Sequence, residues 1–358
     1  MGLRVSCPNR LRRRSIITRN AILANTPTTY LSPFIVTCNR MTVGVIGLGK
    51  VGNGISKNLT EQGFETIGFD LSEEACEAAA EHGIDIAEDS AEVAERASVI
   101  ILSLPHPDAS RNAVNAIVEH GDPGTDIFDT STLSALTARE LGEQAKEEDM
   151  YYFDSPITGG EVGAQAGELT IMMGGDPERI EAQRDILSAI ASNVYHIGDV
   201  GDGQFVKLIH NHVGQTTLII FIEGVLLADE FGVDPSTLYR TLRHWTQIYD
   251  DKLDSFFSNE FDKHFDEHFA LDDAEGIYRN KFHLDVAHKD LVELKSLAEK
   301  YETYLPLGNF VEQFHREGMN AGYDNRPHPD LLQFYSDMFD KDLKSTEEIR
   351  SKSKGRII

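Results

Sequence analysis

At 358 residues with 41% hydrophobic content, the chain is long enough for two domains with sizeable cores. It carries 59 acidic residues against 33 lysines and arginines, which gives a formal net charge of −26. Such a surface repels nucleic acid and anionic lipid, so neither is expected as a partner.

The first 40 residues differ in charge from the rest of the chain. They hold seven arginines and no acidic residue, whereas every acidic residue lies after position 60. This composition is typical of a mitochondrial transit peptide. The alternative is a start codon assigned too far upstream, because Met41 directly precedes the first predicted strand. In both cases we expect residues 1–40 to be a disordered extension outside the fold.

The acidic body also bears on location. A surface with one dominant charge repels itself in dilute buffer, but molar salt shortens the Debye length to roughly 3 Å. We therefore expect the cytoplasm of a salt-in halophile, with the mitochondrial matrix as the alternative. Only Cys76 of the three cysteines lies outside the first 40 residues, so neither a disulfide framework nor a metal site is predicted. The apolar run at 218–222 is too short to span a membrane.

From Met41 onward, short apolar runs alternate with helical stretches. The predicted strands are 42–46, 65–69, 99–104, 126–129, 151–156, 169–173 and 194–197. This alternation predicts an α/β fold in which a parallel Rossmann sheet, covered by helices on both faces, occupies residues 41–203. Helical patterns dominate afterwards, which predicts an all-α domain over 204–342, begun by a long interdomain helix, and a polar tail over 343–358.

The sequence GLGKVG, at 47–52, follows the first strand and opens a helix. Glycine triplets are common, but this one is followed by Asp70 at the end of the next strand, which is the context of a dinucleotide site. Gly47 permits a tight turn, Gly49 lets a pyrophosphate approach the backbone, and Gly52 lets helix and strand pack closely. Asp70 accepts hydrogen bonds from both ribose hydroxyls and repels a 2′-phosphate. NAD is therefore favoured over NADP, and the alternative is that Asp70 only caps a helix.

The stretch at 201–232 predicts one long, mostly buried helix. Lys207 and Asn211 are four residues apart and share a face of it, among mostly apolar neighbours. One explanation is that the lysine extends its stem to the surface. The other is that it faces a cleft and transfers protons.

A glycine-rich segment follows the strand at 151–156. Thr158 precedes Gly159 and Gly160, and further glycines stand at 163 and 167. Backbone N–H groups in such a loop hold a small anion without obstruction by side chains. A plain glycine-rich turn is an equally good explanation of the residues alone.

Six motifs in fixed order carry a family resemblance over residues 41 to about 320. They are GLGKVG at 47–52, SLP at 103–105, DTST at 129–132, DSPITGG at 154–160, GQFVKLIHN at 203–211 and KDL at 289–291. In these the chain resembles the β-hydroxyacid dehydrogenase family. The resemblance implies a Rossmann domain, a helical domain and an active site between them.

The resemblance also assigns roles to individual residues. It implies that Lys207 is the catalytic lysine and Asn211 a substrate-binding asparagine. The implied substrate-binding residues are Ser131, Thr158, Gly159 and Gly160. It implies cofactor contacts for Leu104, Pro105, Thr132 and Lys289. These join the cofactor-binding residues predicted for the glycine loop and the next strand, which are Gly47, Leu48, Gly49, Val51, Gly52 and Asp70.

Four features depart from the family pattern. Thr158 stands where the family usually has serine, and His210 replaces the first of two usual asparagines. The acidic region 244–279 looks longer than the family's connection, and the segment after Gly322 does not match its usual ending. His264 and His268 could suggest a metal site, but their alternation with phenylalanines at helical spacing favours an amphipathic helix.

The predicted function is NAD-dependent oxidation of a small 3-hydroxy acid such as 3-hydroxyisobutyrate to its semialdehyde, or the reverse. Lys207 would be the general acid and base. One alternative is reduction of tartronate semialdehyde, succinic semialdehyde or glyoxylate; another is a non-catalytic NAD-binding regulator. The long apolar helix further suggests a homodimer or homotetramer.

Overall fold

The structure is a computed structural model. It describes residues 41–233, 238, 241, 283–324, 326 and 331–338. The predicted extension at 1–40, the acidic region at 244–279 with His264 and His268, and the tail at 343–358 lie outside the described residues.

The first six strands form a parallel sheet in the spatial order β3-β2-β1-β4-β5-β6. These strands are β1 Thr42–Ile46, β2 Glu65–Phe69, β3 Asp85–Ile86, β4 Val99–Leu102, β5 Asp126–Asp129 and β6 Tyr151–Asp154. The helices that connect them are α1 Lys50–Glu61, α2 Glu73–Ala80, α3 Ser90–Arg96, α4 Pro107–His120 and α5 Ala135–Glu147. This is the strand order of a Rossmann fold, which confirms the predicted fold class.

Central strands β4 and β5 are buried along their whole length. Helices cover both faces, so each face has its own buried cluster, and the two clusters form the core of the α/β part. The continuous apolar sequence of these strands, without alternation, follows from burial on both sides.

Beyond β6 the sheet is no longer purely parallel, which corrects the expectation of an all-parallel sheet. β7 Ile157–Thr158 and β8 Leu169–Gly174 pair antiparallel, and β8 also pairs antiparallel with β6. Only the short helix α6 Gly160–Ala166 separates β7 from β8, so the chain returns beside the strand that it left. Two helices, α7 Pro177–Ala182 and α8 Arg184–Ile190, then lead to β9 Ala191–Gly198, which pairs parallel with β8.

The predicted long helix is α9, Asp202–Phe231, of 30 residues. It is less buried than expected, because a stripe of apolar side chains is exposed along one face. The stripe consists of Phe205, Ile209, Val213, Ile220, Leu227 and Phe231. Their spacing of four and seven residues keeps them on one side of the helix. No helix in the described part of the chain is long and apolar enough to cross a membrane.

Three further helices pack against α9. They are α10 Leu284–Lys300, α11 Pro306–Gly318 and α12 Leu331–Met338, with a π-helical turn at Met319–Tyr323. Their apolar faces and Ile219 and Ile222 of α9 form a separate buried cluster. On the polar side, the Gln215 amide of α9 donates to the backbone carbonyl of Ala287 in α10 at 3.0 Å. These contacts fix α10 beside the middle of α9.

Candidate active site

The glycine loop follows β1, and the structure gives each glycine a separate reason. Gly47 has a φ of +95°, which favours glycine, and a Cβ there would collide with the backbone carbonyl of Ser103. A Cβ at Gly52 would collide with the carbonyl oxygen of Gly47. Around Gly49, in contrast, a Cβ would meet no protein atom within 4 Å. Packing therefore requires glycine at 47 and 52, whereas the open space at Gly49 fits an approaching ligand.

Asp70 is attached to this loop through its carboxylate. The backbone N–H of Leu48 donates to Oδ2 at 2.7 Å, and that of Ser72 donates to Oδ1 at 2.8 Å. Ser72, not Asp70, supplies the side-chain cap of α2. Each carboxylate oxygen keeps capacity to accept one more hydrogen bond. The open glycine backbone and the fixed carboxylate fit the pyrophosphate and the ribose of a dinucleotide.

The loop after β5 carries Ser131 and Thr132. The N–H of Ser131 donates to the buried Asp129 carboxylate at 3.0 Å, and its hydroxyl accepts from the N–H of Leu104 at 3.0 Å. Burial raises the pKa of Asp129 against the lowering effect of its hydrogen bonds, first of all those from Ser131. Ser131 is thus held beside Leu104 and Pro105, which end the SLP motif after β4.

Lys289 joins the helical part to this loop. Its ammonium donates to the backbone carbonyl of Thr132 at 3.0 Å and lies 3.5 Å from Oδ1 of Asp290. Two predicted cofactor residues that are 157 positions apart therefore meet directly.

Lys207 lies on the first half of α9 and is 8% exposed. Burial lowers the pKa of Lys207 to about 8; Asp290 opposes this shift, and Lys289 adds to it. Among the described residues, the ammonium has no hydrogen-bond acceptor of its own. The side chain therefore does not extend along the surface: it is a buried amine with capacity for a ligand.

Asn211 lies one turn after Lys207, and both ends of its amide are engaged. Nδ2 donates to Oδ2 of Asp290 at 2.7 Å, and Oδ1 lies 3.1 Å from Nδ1 of His210. Because the amide oxygen can only accept, His210 carries its proton on Nδ1 in this arrangement. Burial and Lys207 lower the pKa of His210, which favours the neutral ring. The amide keeps one hydrogen and one lone pair for a further partner.

Asp290 was missed in the sequence, although it stands in the KDL motif. It is 2% exposed, and among the described residues its Oδ1 accepts no hydrogen bond, although the Lys289 ammonium lies 3.5 Å away. Burial raises the pKa of Asp290, and Lys289 and Lys207 oppose that rise. Two other residues were also missed: Asp154 and Gln204, which hold the start of α9. All three lie inside recognised motifs, but only the fold shows what they contact.

The glycine-rich loop reaches this region through the sheet. Thr158 pairs with Thr170 on β8, and Gly159 adopts a φ of +114°, which favours glycine. Farther along β8, the carbonyl of Met172 lies directly against Gly203 at the start of α9. Elsewhere in the site, hydrogen bonds join Leu104 to Ser131, Lys289 to Thr132 and Asn211 to Asp290. No direct hydrogen bond joins Thr158–Gly160 to Lys207 within the described residues.

No group of three or more histidine, cysteine, aspartate or glutamate side chains suited to a metal occurs in the described part of the chain. The candidate site consists of a dinucleotide loop and a buried lysine, which lies one helical turn before Asn211 and near the Asp290 carboxylate.

Comparisons with known proteins bear on the family and the fold. Residues 42–198 match the family model described as the NAD binding domain of 6-phosphogluconate dehydrogenase. Residues 201–335 match that described as NAD-binding of NADP-dependent 3-hydroxyisobutyrate dehydrogenase. The chain is 36% identical over 208 residues to a probable mitochondrial 3-hydroxyisobutyrate dehydrogenase of Dictyostelium discoideum, covering 57% of this chain and 65% of that relative.

Two further similarities cover more of the chain. Identity to the mitochondrial 3-hydroxyisobutyrate dehydrogenase of Mus musculus is 29% over 307 residues, which are 83% of this chain and 87% of the relative. A crystal structure of 3-hydroxyisobutyrate dehydrogenase from Salmonella typhimurium has a TM-score of 0.70 and 25% identity. That similarity covers 82% of this chain and 99% of the other.

Proposed function

The chain belongs to the β-hydroxyacid dehydrogenase family and is an NAD-binding oxidoreductase, and we propose that it interconverts a small 3-hydroxy acid, such as 3-hydroxyisobutyrate, and its semialdehyde. In this proposal Lys207 is the general acid and base. The observation that carries the proposal is the buried ammonium of Lys207, whose pKa is lowered to about 8. A catalytic acid or base works best when its pKa lies near the operating pH.

We assign cofactor binding to the residues around the glycine loop. Gly47, Leu48, Gly49, Val51 and Gly52 would hold the pyrophosphate, and Asp70 the adenosine ribose. Leu104, Pro105, Thr132 and Lys289 would hold the nicotinamide end. When bound, the nicotinamide accepts or supplies the hydride of the reaction.

Asp70 supports NAD over NADP. Its carboxylate is fixed by the backbone of Leu48 and Ser72, so a 2′-phosphate would meet a held negative charge. No lysine or arginine stands at 71–76 to neutralise that phosphate.

Lys207 performs the proton transfer in this proposal. In the oxidation direction the neutral amine takes the proton of the substrate hydroxyl; in reduction the ammonium returns it. At a pKa near 8, about a tenth of Lys207 is neutral at pH 7, against less than a thousandth at the ordinary value of 10.5. Burial beside Asp290 thus makes the lysine usable as a base without removing its proton altogether.

Five other residues hold the substrate in the proposal. Asn211 has one amide hydrogen left for the substrate oxygen, and Ser131 offers its hydroxyl beside Leu104. The backbone of Thr158, Gly159 and Gly160 would bind the substrate carboxylate. Thr158 retains the hydroxyl that serine usually supplies in the family.

Reductase activity on tartronate semialdehyde, succinic semialdehyde or glyoxylate is the second candidate, because the carboxylate loop and Lys207 serve those substrates equally. The test is a panel of 3-hydroxy acids and aldehyde acids with NAD and NADP, each in low and molar salt. Fastest NADH formation from a branched 3-hydroxy acid supports the proposal. Activity confined to glyoxylate would replace it, and no turnover with any substrate would favour a regulator.

We also propose a homodimer or homotetramer in a salt-rich cytoplasm. The exposed apolar stripe of α9 supports association, and the net charge of −26 supports a salt-rich setting. Two relatives named as mitochondrial support the matrix as the alternative location. Light scattering and activity assays in low and molar salt test the oligomeric state and the salt requirement. A monomer with full activity in dilute buffer would refute both proposals.

A further inference from the structure

We propose that Asp154 and Gln204 are positioning residues that fix the first turn of α9 on the Ser131 loop and so set the place of Lys207. This inference rests on the proposed function for its kinetic consequences only. Its structural part concerns how a helix is held and stands on hydrogen bonds within the chain.

Asp154 caps α9 from another part of the fold. It ends β6 and is fully buried, and its two carboxylate oxygens accept from the N–H groups of Gly201 and Gln204, each at 2.7 Å. Helix starts leave N–H groups unpaired, and a side chain just before the helix usually accepts from them. Gly201 has no side chain to do so. Asp154, which is 47 residues earlier, takes that role.

The fold leaves space for this carboxylate. A Cβ at Gly174 would collide with Oδ1 of Asp154, and a Cβ at Gly203 would lie 2.9 Å from Oδ2. Glycine at both positions thus lets strand β8 and helix α9 close around the carboxylate. The interaction occupies a place built for it by three chain segments.

Gln204 extends the connection to the substrate side. It is fully buried; its Oε1 accepts from the N–H of Leu133 at 2.9 Å, and its Nε2 donates to the carbonyl of Ser131 at 2.7 Å. Gln204 is therefore bound to Asp154 through its backbone N–H and to the Ser131 loop through its side chain. Lys207 follows Gln204 by three residues, less than one helical turn. Displacement of this turn would change the separation of the lysine from Ser131.

The charges around Asp154 make the capping dependent on pH. Burial raises the pKa of Asp154 to about 6; the hydrogen bonds from Gly201 and Gln204 oppose this rise, and Asp202 on α9 adds to it. Asp129, the partner of Asp154 in strand pairing, and Tyr152 on β6 also lie nearby. The ionised form accepts both hydrogen bonds. Below about pH 6 the protonated form predominates and loses one acceptor.

The test compares three variants: Asp154→Asn, Gln204→Met and Asp126→Asn. Asparagine at 154 keeps the shape but turns an N–H donor toward one backbone N–H. We expect kcat/KM for the hydroxy acid to fall by about 10²-fold, since an error of about 1 Å in a catalytic group costs that much. NAD affinity should stay the same. Protonation of Lys207 lowers the oxidation rate of the parent protein and of the variant alike below about pH 8. The additional acid limb that protonation of Asp154 adds below about pH 6 should disappear in Asp154→Asn.

Gln204→Met serves as the second variant if Asp154→Asn does not fold. Methionine fills the space but leaves the Ser131 carbonyl and the Leu133 N–H without their partner. We expect a loss of roughly tenfold or more in kcat/KM. The acid limb of the pH profile should remain, because Asp154 is intact.

Asp126→Asn is the matched control. Asp126 is a carboxylate buried in the same sheet, but it pairs with Arg179 and Gln183 at the opposite end of β5. Its replacement should reduce stability and leave both kcat/KM and the acid limb as in the parent protein.

Hydrogen exchange of the amides at 201–207 gives a measure that needs no activity. Faster exchange there in Asp154→Asn and Gln204→Met, with no change in Asp126→Asn, supports the inference, even if the parent protein turns over no hydroxy acid and the proposed function fails. Unchanged exchange, or a retained acid limb and kcat/KM in Asp154→Asn, would overturn it.

Discussion

The dinucleotide loop and the lysine site are held by different kinds of contact. In the loop the geometry comes from backbone: Gly47 and Gly52 permit close approach, and Asp70 binds the N–H of a residue 22 positions away. Around Lys207 the geometry comes from side chains that join distant segments, such as Asn211 to Asp290 across 79 positions. The loop therefore depends mainly on shape, whereas the lysine site depends on burial and charge.

The largest expected effect concerns the lysine site, which depends on burial and charge. Lys207→Met removes the proton-transfer group, and kcat should fall by roughly 10² to 10⁴-fold while NAD still binds. The measurement is NADH formation together with NAD binding by calorimetry. Near-normal turnover would remove the lysine from the mechanism.

The same variant should be more stable than the parent protein. The folded pKa of Lys207 is about 8 against an ordinary 10.5, so burial of the ammonium destabilises the fold by about 3 kcal/mol. This cost is fully present below pH 8 and disappears as pH rises toward 10.5. We expect Lys207→Met to raise the free energy of unfolding by about 1–3 kcal/mol at pH 7 and by less at pH 10. Denaturant unfolding at both values checks it; a less stable variant at pH 7 would contradict the account.

Two glycine variants test the dinucleotide loop, which depends mainly on shape. Gly52→Ala places a methyl group against the Gly47 carbonyl, so it should lower stability by about 1–3 kcal/mol. Gly49→Ala meets no protein atom and should leave the melting temperature within about 1–2 °C. It should instead weaken NAD binding roughly tenfold or more, because the methyl group occupies the space for the pyrophosphate. Equal effects of both variants on stability would show that Gly49 is structural.

Asp70 combines the two kinds of contact, because backbone N–H groups fix its carboxylate and its charge is what acts on the cofactor. Asp70→Asn keeps an acceptor for one of the two N–H groups but loses the charge. We expect roughly tenfold weaker NAD binding and a smaller preference of NAD over NADP, since hydrogen bonds to a charged group contribute about 1.5–3 kcal/mol. Binding titrations with both cofactors measure it. An unchanged preference would mean that discrimination lies elsewhere.

The smallest effect is expected for an exposed ion pair at the base of α9. Arg139 donates to Asp202 at 3.0 Å, and both side chains are more than a third exposed. Arg139→Ala should change stability by less than about 1 kcal/mol and leave kcat unaltered, because exposed pairs contribute little. A large loss would show that the start of α9 depends on more than Asp154 and Gln204.

The same contrast explains what the sequence could predict. The strands and the glycine loop follow local patterns, so their positions and the fold class were predictable from apolar runs, glycine spacing and Asp70. The short strands β3 and β7 were missed, because two residues carry no usable period. The antiparallel pairing of β8 was missed with them. The exposed stripe of α9 was missed because apolar residues occur on every face of that helix. Only the fold shows which face is covered by other helices.

The candidate site was predictable only in part. Motifs indicated Lys207, Asn211, Ser131 and Lys289, but no pattern shows that Asp290 contacts Asn211 or that Asp154 caps α9. Such contacts depend on tertiary packing. The burial that lowers the pKa of Lys207 likewise depends on tertiary packing.

The central claim is that a buried lysine, tuned by Asp290, transfers the proton. The most direct measurement is the pH dependence of kcat/KM for hydroxy acid oxidation in the parent protein and in Asp290→Asn, since this ratio reports the free enzyme. The account predicts that the parent rate rises with pH to a plateau above about 8. Asparagine can still accept from Asn211, but it no longer raises the pKa of Lys207, so the midpoint should move to lower pH. A rate that does not titrate near 8, or a midpoint that stays or rises in Asp290→Asn, would contradict the account.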